Sequence, residues 1–290
     1  MTGRTTFYRF GRNQHLFNMT RLNLVFVGCL LIFLPKPLSG QTKKVHENPI
    51  TIGQIITLKS AVLKEERQIY VSLPDGYDTL TSNLPVMYVL DAEYRFGIAQ
   101  SIRSYFNITT KIPQTILIGI ANPTKETRQR DYLPKAYGGE AEKFSEFLSE
   151  EVFEFVQQKY KASKKRYLAG HSHGGVFVVY TLLNKPDFFE GYIAIDPSLK
   201  YIYSEGDTLL NRELKDKRLY LASSDVAYGY LEDVAADMQA DFAVFKNRLY
   251  QTREKNNLSF KIDHIDDDHG NSYIHGFSRG LRYIFNWRFE

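Results

Sequence analysis

The sequence predicts an α/β fold built on a mostly parallel, twisted β-sheet with helices on both faces and an antiparallel edge at its N-terminal side. Three observations lead to this prediction. Continuous apolar runs of strand length recur along the chain, as strands buried on both faces require. Longer segments with apolar residues at helical spacing separate these runs. The first strands are rich in Thr, Lys and Gln, which suits a sheet edge beside solvent.

The predicted strands differ in their expected burial. Residues 68–77, QIYVSLPDGY, alternate apolar and polar side chains and end in a Pro-Asp-Gly turn, which predicts a half-buried strand. Residues 84–92, LPVMYVLDA, and 115–122, TILIGIAN, are continuous apolar runs, which predict fully buried strands. Four more predicted strands follow, at 165–170, 191–198, 218–224 and 259–265.

Helices are predicted in the intervals between these strands. Residues 140–160 carry apolar side chains at helical spacing: Phe144, Phe147, Leu148, Val152, Phe155 and Val156. Residues 175–184, GVFVVYTLLN, indicate a buried helix, and two further helices are predicted at 231–253 and 277–289. Strands that alternate with helices pair in parallel, so this order predicts a parallel sheet covered on both faces.

The N-terminal segment, residues 1–40, predicts a leader peptide. Arg21 precedes an apolar run at 24–34, and prolines and small residues follow. This order is typical of a secretory signal, and the run is too short to span a bilayer comfortably. Met19 begins a better signal than the first residue does, which indicates an over-long start. Cleavage leaves 41–290 as a single domain that is periplasmic or secreted and not inserted in a membrane; an uncleaved anchor is the alternative.

The composition argues against several classes of function. The chain has 37 basic and 33 acidic residues, but five of the basic residues lie in 1–40, which contain no acid. The remainder is therefore close to neutral, which argues against a nucleic-acid partner. The one cysteine, Cys29, lies in the predicted leader. An exported domain without cysteine uses neither disulfides nor a zinc–thiolate site.

The stretch 167–180, YLAGHSHGGVFVVY, predicts a nucleophilic serine. Gly170 and Gly174 flank Ser172 in a G-x-S-x-G pattern, with a predicted strand before it and a buried helix after it. This is the nucleophile-elbow arrangement of α/β-hydrolases, in which glycines allow a tight turn. The N–H of His173, at the start of the helix, is predicted to bind an oxyanion. A helix N-cap is the alternative role of the serine, but a cap does not explain the glycines on both sides.

The general base is predicted from chain order. His171 and His173 flank Ser172, but a sharp turn sends adjacent side chains in different directions, so neither is expected to reach its oxygen. The order Ser, acid, His in α/β-hydrolases leaves three histidines downstream: His264, His269 and His275. The first lies within a predicted strand and the last close to the final helix. His269 lies in DDDHGN, a polar loop after the final strand, and is the predicted base.

The acid of the predicted triad is expected in the loop after the strand at 218–224. Asp225 is the first carboxylate of that loop and is the predicted acid, with Glu232 as a substitute. A Ser–His pair assisted by Asp268 is a further alternative. The acid fixes the tautomer of the imidazole and stabilises its charged form.

These features together resemble the esterase D-like "putative esterase" family of α/β-hydrolases, which includes feruloyl and acetyl-xylan esterases, siderophore esterases and mycolyl transferases. The resemblance covers about residues 50–288. The stretches that carry it are VSLPDGY, PVMYVLDAEYRF, LIGIANPTKETRQRDYLP, AGHSHGG, PDFFEGYIAIDPSL and DDDHG.

The resemblance also implies a second oxyanion donor, the N–H that follows the turn after the second buried strand. That turn is LDAEY here, so Ala92 replaces the usual glycine and the donor is Glu93. The family's SPSL is DPSL in this chain, which places Asp196 near the floor of the site.

The predicted activity is hydrolysis of a small-molecule or glycan ester through an acyl-enzyme, with no metal or organic cofactor. Acyl transfer to another alcohol and a catalytically silent binding module on the same fold are the alternatives. Residues 124–139 are polar and rich in arginine. They are predicted to form either a lid, in which Arg128, Arg130 or Tyr132 contacts the substrate, or an ordinary surface loop.

Overall fold

The computed structural model describes residues 48–109, 111–202, 212–225 and 232–286. The predicted leader, residues 1–40, lies outside the described residues. The leader and the single domain over 41–290 therefore stay predictions.

The strands of the described residues form one eight-stranded sheet. They are β1 (Gln54–Ser60), β2 (Glu65–Ser72), β3 (Leu84–Leu90), β4 (Ile116–Ile120), β5 (Ala162–His171), β6 (Gly191–Ile195), β7 (Arg218–Ser224) and β8 (Ser259–Ile265). Their order in the sheet is β1-β2-β4-β3-β5-β6-β7-β8. β1 pairs antiparallel with β2, and β2 pairs antiparallel with β4. The other pairs are parallel, which confirms the predicted sheet with its antiparallel N-terminal edge.

The α-helices connect these strands. They are α1 (Ala92–Ile108), α2 (Lys125–Tyr132), α3 (Ala141–Glu146), α4 (Phe153–Lys159), α5 (His173–Asn184), α6 (Glu232–Asn256) and α7 (Ser272–Ile284). A π-helical segment, Phe147–Val152, joins α3 to α4. Within the described part of the chain, no helix is both long and apolar enough to cross a membrane.

The helix α2 lies inside the segment predicted as a lid or surface loop. Its N-terminus is a reciprocal capping box, in which the Thr124 hydroxyl accepts the N–H of Thr127 and the Thr127 hydroxyl accepts the N–H of Thr124. Its buried residues are Asp131, which is charged, and the aromatic Tyr132. The helix therefore shows no apolar stripe in the sequence, and periodicity does not reveal it.

Apolar side chains cover both faces of the sheet. Along β3, Val86, Tyr88 and Leu90 belong to the cluster that packs with α5, whereas Met87 and Val89 belong to the cluster that packs with α1 and α7. Successive side chains of a strand point to opposite faces, so burial on both sides produces the continuous apolar runs seen in the sequence.

The carboxyl ends of the parallel strands meet along one edge of the sheet. Asp91 follows β3, Ser172 follows β5, Asp196 follows β6, and the loop with His269 follows β8. Ligand sites of open α/β sheets lie at this edge, so the fold itself gathers these four residues.

Candidate active site

Ser172 occupies a strained turn between β5 and α5. Its backbone has φ 57° and ψ −122°, a conformation that residues other than glycine rarely adopt. The N–H of Ser172 donates to the carbonyl of Ile195 at 3.0 Å, so the turn is tied to the neighbouring strand. A serine with this backbone at a strand-to-helix junction is the geometry of a nucleophile elbow.

Gly170 is required at this turn because the two ends of the motif touch. A Cβ on Gly170 would lie 2.4 Å from the carbonyl oxygen of Gly174, a distance that real Cβ atoms do not show. A Cβ on Gly175 would lie 3.0 Å from the Pro197 side chain and 3.1 Å from the carbonyl oxygen of Ile195. Gly170 therefore serves close backbone approach, as predicted for this turn. A Cβ on Gly174 would meet no backbone, and its nearest neighbour would be the Asp91 carboxylate at 3.2 Å.

The structure pairs His269 with Asp196. The Nδ1 atom of His269 lies 2.6 Å from Oδ2 of Asp196, and both side chains are buried. The Asp196 carboxylate also accepts the N–H of Ser224 at 3.1 Å and the hydroxyl of the same serine. Three donors thus hold the carboxylate in place, and it in turn fixes the imidazole.

Asp225 does not contact His269, which corrects the predicted acid. Its Oδ1 lies 3.5 Å from Nε2 of His264, on a partly exposed surface. The cause lies in the sheet order: β6 is the strand next to β5, so the residue after β6 lies nearer the elbow than the residue after β7 does.

Asp268, one of the two alternative acids, is engaged elsewhere. Asp268 instead ties its own loop, because its carboxylate accepts both the N–H and the side-chain amide of Asn271 at 2.8 Å. The side chain of Glu232 lies outside the described residues. The one signal for Asp196 in the sequence was the departure from SPSL to DPSL.

Neither histidine beside Ser172 takes the position of the base. His171 is buried, its Nε2 lies 2.5 Å from the carbonyl oxygen of His269, and burial lowers its pKa well below the usual value. His173 borders a cavity and packs edge-on against Tyr201 at 5.4 Å between ring centroids. Burial lowers the pKa of His173 to about 4, so the ring is neutral near pH 7.

Asp91 and Arg128 link the turn after β3 to the elbow. Arg128 donates to both carboxylate oxygens of Asp91, at 2.7 and 2.8 Å, and also to the carbonyl of His171 at 3.2 Å. Asp91 has a left-handed backbone (φ 57°, ψ 47°). Bidentate pairing fixes the orientation of the guanidinium as well as its position, so Arg128 braces two turns of the site.

Tyr132 supports this turn from beneath and does not contact the cavity. The ring is fully buried, and its hydroxyl accepts the N–H of Asp91 at 3.2 Å and the side-chain amide of Asn122 at 2.6 Å. The predicted role of Tyr132 in substrate contact is therefore corrected to a supporting one.

Arg130 points away from the elbow, which corrects its predicted role. It donates to both carboxylate oxygens of Glu65 on β2, at 2.8 and 3.0 Å, and to Asp131 at 2.8 Å. Residues two apart on a helix face opposite sides, so α2 sends Arg128 to the elbow and Arg130 to the edge of the sheet. Interpreting residues 124–139 as a loop could not predict that Arg128 and Arg130 point in different directions.

Glu93, the predicted second oxyanion donor, lies in the first turn of α1. Its carboxylate accepts the N–H of Asn122 at 3.1 Å. Burial raises the pKa of this carboxyl above its usual value. The role of the Glu93 N–H as an oxyanion donor stays a prediction.

A cavity of about 340 Å³ opens beside Ser172. Among the described residues, three cations and no carboxylate line it, and one of the three, Arg128, is paired with Asp91. The two lysines give it a positive charge. The lining residues are Lys125, Arg128, Gln129, Ser172, His173, Ser198, Lys200, Tyr201 and Met238. A cleft of this charge favours anionic ligands.

Among the described residues, one group of side chains has the spacing of a metal site: His171, Asp196 and His269. Both ring nitrogens of His171 are already engaged, one with Arg95 at 3.1 Å and one with the carbonyl of His269. The Nδ1 atom of His269 is engaged with Asp196. The donor atoms therefore satisfy one another, and an arginine beside them opposes a cation.

Solved structures share this architecture. An IroE-like serine hydrolase from Shewanella oneidensis is 25% identical, with a TM-score of 0.73 over 81% of this chain and 80% of that chain. The BES protein from Bacillus cereus, 23% identical, has a TM-score of 0.70 over 83% of this chain and 99% of that chain. Both support the hydrolase fold.

Curated relatives are esterases by name. The chain is 34% identical to the ferri-bacillibactin esterase BesA of Bacillus subtilis over 151 residues, which are 44% of this chain and 50% of BesA. It is 27% identical to a siderophore enterobactin esterase of Emericella nidulans over 179 residues, which are 53% of this chain and 58% of that protein. The matches thus span about half the length of these relatives.

The family model described as "Putative esterase" matches residues 60–256. The match extends from the end of β1 to the end of α6 and includes Ser172 and Asp196, while His269 follows it. The match covers well over half of the sequence, so the chain belongs to this esterase family.

Proposed function

We propose that the protein hydrolyses carboxylic esters through an acyl-enzyme on Ser172, with His269 as general base and Asp196 as the acid. The observation that carries this proposal is the buried His269–Asp196 pair beside a strained serine at the elbow. Family membership and esterase relatives support the same activity.

The proposed first half-reaction forms the acyl-enzyme. Asp196 accepts the Nδ1–H of His269, which leaves Nε2 unprotonated and able to take the proton of Ser172. The serine oxygen attacks the ester carbonyl, and the imidazolium then gives its proton to the leaving alcohol as the C–O bond breaks. Asp196 stabilises the imidazolium by its negative charge.

The second half-reaction releases the acid. His269 takes a proton from water, the hydroxide attacks the acyl carbonyl, and the proton returns to the oxygen of Ser172 as it leaves. The N–H of His173 is the first oxyanion donor. The N–H of Glu93, in the first turn of α1, is the second.

The proposed substrate is an anionic siderophore ester. Among the described residues, Lys125 and Lys200 line the cavity beside Ser172 as cations without a carboxylate beside them in that lining, which favours a negatively charged substrate. Relatives named for bacillibactin, enterobactin and triacetylfusarinine C support a siderophore. The leader pattern at residues 1–40 supports export. Cell fractionation checks where the protein is located, and N-terminal sequencing checks whether the leader is cleaved.

The test is an ester panel with p-nitrophenyl acetate, a feruloyl ester and ferric enterobactin, with the free acid measured as product. Ser172→Ala is expected to lower kcat by at least about 10³-fold on each ester that the native protein cleaves. Preference for the siderophore in kcat/KM supports the substrate assignment. Activity that persists in Ser172→Ala, or no cleavage of any ester by the native protein, overturns the proposal.

A further inference from the structure

We propose that His171 and Arg95 are positioning residues that hold the backbone of the catalytic-histidine loop, residues 266–271, so that His269 faces Ser172. The inference rests on the proposed function, because it assigns a purpose to the orientation of His269. It concerns the one histidine beside the serine that is buried yet is not the base.

The hydrogen-bond partners of His171 determine its tautomer. Arg95 Nη2 lies 3.1 Å from Nδ1 of His171, and a guanidinium can only donate. Nδ1 is therefore the acceptor, and the ring proton is on Nε2. That N–H donates to the carbonyl oxygen of His269 at 2.5 Å.

Arg95 reaches the same loop independently. Its Nη1 donates to the carbonyl of Gly270 at 3.3 Å, and its guanidinium lies over the ring of Tyr273 at 4.7 Å from the centroid. Two successive carbonyls of the loop, at residues 269 and 270, are thus held from α1 and from the end of β5. Tyr273 belongs to α7, so three separate elements meet at this arginine.

The carbonyl of His269 accepts a second bond, from the hydroxyl of Ser272 at 2.8 Å. The main chain of His269 is therefore fixed by His171 and Ser272, while Asp196 fixes its imidazole. The ring of His171 also packs against the ring of His269, with centroids 4.4 Å apart. With main chain and ring both held, the imidazole keeps one orientation, as efficient proton transfer requires.

The surroundings of His171 keep it neutral in this role. Burial is the main cause that lowers its pKa, and the positive charges of Arg95 and Arg128 act in the same direction. A charged ring would place an N–H against the Arg95 guanidinium and lose the acceptor. The geometry thus suits a fixed hydrogen-bond bridge and not a group that exchanges protons.

The test compares two substitutions of His171. His171→Gln retains an amide N–H near the position of Nε2, whereas His171→Leu removes it at similar volume. We expect kcat to fall by about 10²-fold in His171→Leu with little change in KM. The glutamine variant is expected to recover most of that loss. His264→Gln, whose partly exposed side chain pairs with Asp225, is the matched control and keeps the native rate.

A second readout does not depend on activity. The Nδ1–H proton of His269, held by Asp196, is expected to give a far-downfield proton NMR signal in the native protein. The signal broadens or disappears in His171→Leu and in Arg95→Gln and persists in His171→Gln. Arg95→Gln carries the test by itself if the leucine variant does not fold, as judged by circular dichroism.

The two proposals fail in different ways. If Ser172→Ala retains activity, the proposed function is wrong, while the NMR signal still reports whether His171 orders the loop. If Ser172→Ala is inactive but folded His171→Leu and Arg95→Gln keep the native kcat and the native signal, the positioning role is overturned. Equal losses in His171→Gln and His171→Leu also overturn it, because the retained N–H would then have no value.

Discussion

The Nδ1 atom of His269 lies 2.6 Å from Oδ2 of Asp196, the first residue after β6. The backbone of Asp196 is left-handed, with φ 46°. Aspartate and asparagine tolerate that conformation better than most residues, so the position suits a short carboxylate aimed across the sheet edge. The pair joins two strand ends that are 73 residues apart in the chain.

We expect Asp196→Asn to lower kcat by about 10³- to 10⁴-fold while the protein stays folded. Asparagine fits the left-handed backbone, but its amide can turn an N–H toward the imidazole and favour the wrong tautomer. Steady-state kinetics on the best ester of the panel measure the loss.

Asp225→Asn is the matched control for this substitution. Its carboxylate pairs with the exposed His264, so kcat is expected to stay within about twofold of the native value. A large loss in Asp225→Asn together with a small one in Asp196→Asn would restore the acid predicted from chain order.

The cations of the cavity are expected to act on KM. Lys125→Gln and Lys200→Gln should each raise KM for an anionic siderophore ester by about two- to fivefold, because each removes one solvent-screened attraction. Their effect on neutral p-nitrophenyl acetate should be small. The salt dependence of KM should also weaken in both variants.

Lys164→Gln serves as the control for the cavity lysines. It lies near the start of β5, at the opposite end of the strand from Ser172, and is exposed. Equal changes in KM for all three lysine variants would show that overall charge, and not the cavity, attracts the substrate.

Gly170→Ala is expected to destabilise the protein by about 1–3 kcal/mol in the free energy of unfolding. The added Cβ would lie 2.4 Å from the carbonyl oxygen of Gly174, and neither backbone segment can retreat without moving Ser172. Urea denaturation followed by circular dichroism measures the change. Activity should fall as well, because the elbow shifts.

Gly97→Ala is the matched control in α1. Its Cβ would meet only the Ile52 side chain, at 4.0 Å, on an exposed face. Alanine in an exposed helix interior is expected to stabilise by about 0.5–1 kcal/mol. The prediction is wrong if both alanine variants change stability in the same direction.

The protein is expected to lose stability as pH falls below about 6.5. His171 and His173 have pKa values lowered by burial, that of His173 to about 4. Below the usual histidine pKa of about 6.5, these histidines bind protons in the unfolded chain but not in the folded protein. The free energy of unfolding therefore falls by up to about 1.4 kcal/mol per pH unit for each histidine. Above pH 7 both states are neutral and this dependence vanishes.

Urea denaturation between pH 7.5 and pH 4.5 measures the slope of the unfolding free energy. His171→Gln and His173→Gln should each flatten it in this window, and the double variant more than either. Curves that run parallel to that of the native protein would contradict the assignment of the slope to these two histidines.

The sequence alone predicted the central strands well. β7 begins and ends where the predicted strand at 218–224 does, because burial of its central residues on both faces leaves a continuous apolar signal. β8, at the edge of the sheet, also coincides with the predicted strand at 259–265, where apolar and polar residues alternate. The helix α2 escaped prediction, because capping threonines and buried polar residues hold it in place of an apolar stripe. The spacing of apolar residues reveals only helices and strands that bury an apolar face. A helix stabilised by polar contacts therefore leaves no such pattern in the sequence.

The site residues divide in the same way. Ser172 and the candidate base, His269, follow from local patterns: glycines around a strand-to-helix turn and a polar loop after the last strand. The acid did not follow, because Asp196 and Asp225 both come directly after buried strands. Their side chains meet different histidines only through the order of β6 and β7 in the sheet.

The sequence by itself determined the α/β class, the positions of the strands, the elbow at Ser172 and the histidine loop. Each of these features depends on residues that are close together in the chain. Tertiary structure decided which carboxylate reaches His269, which arginine faces the cavity, and that His171 bridges Arg95 to the backbone of His269. The physical reason is distance along the chain. These contacts join strand ends and helices far apart in sequence, and only sheet order and helix orientation bring them together.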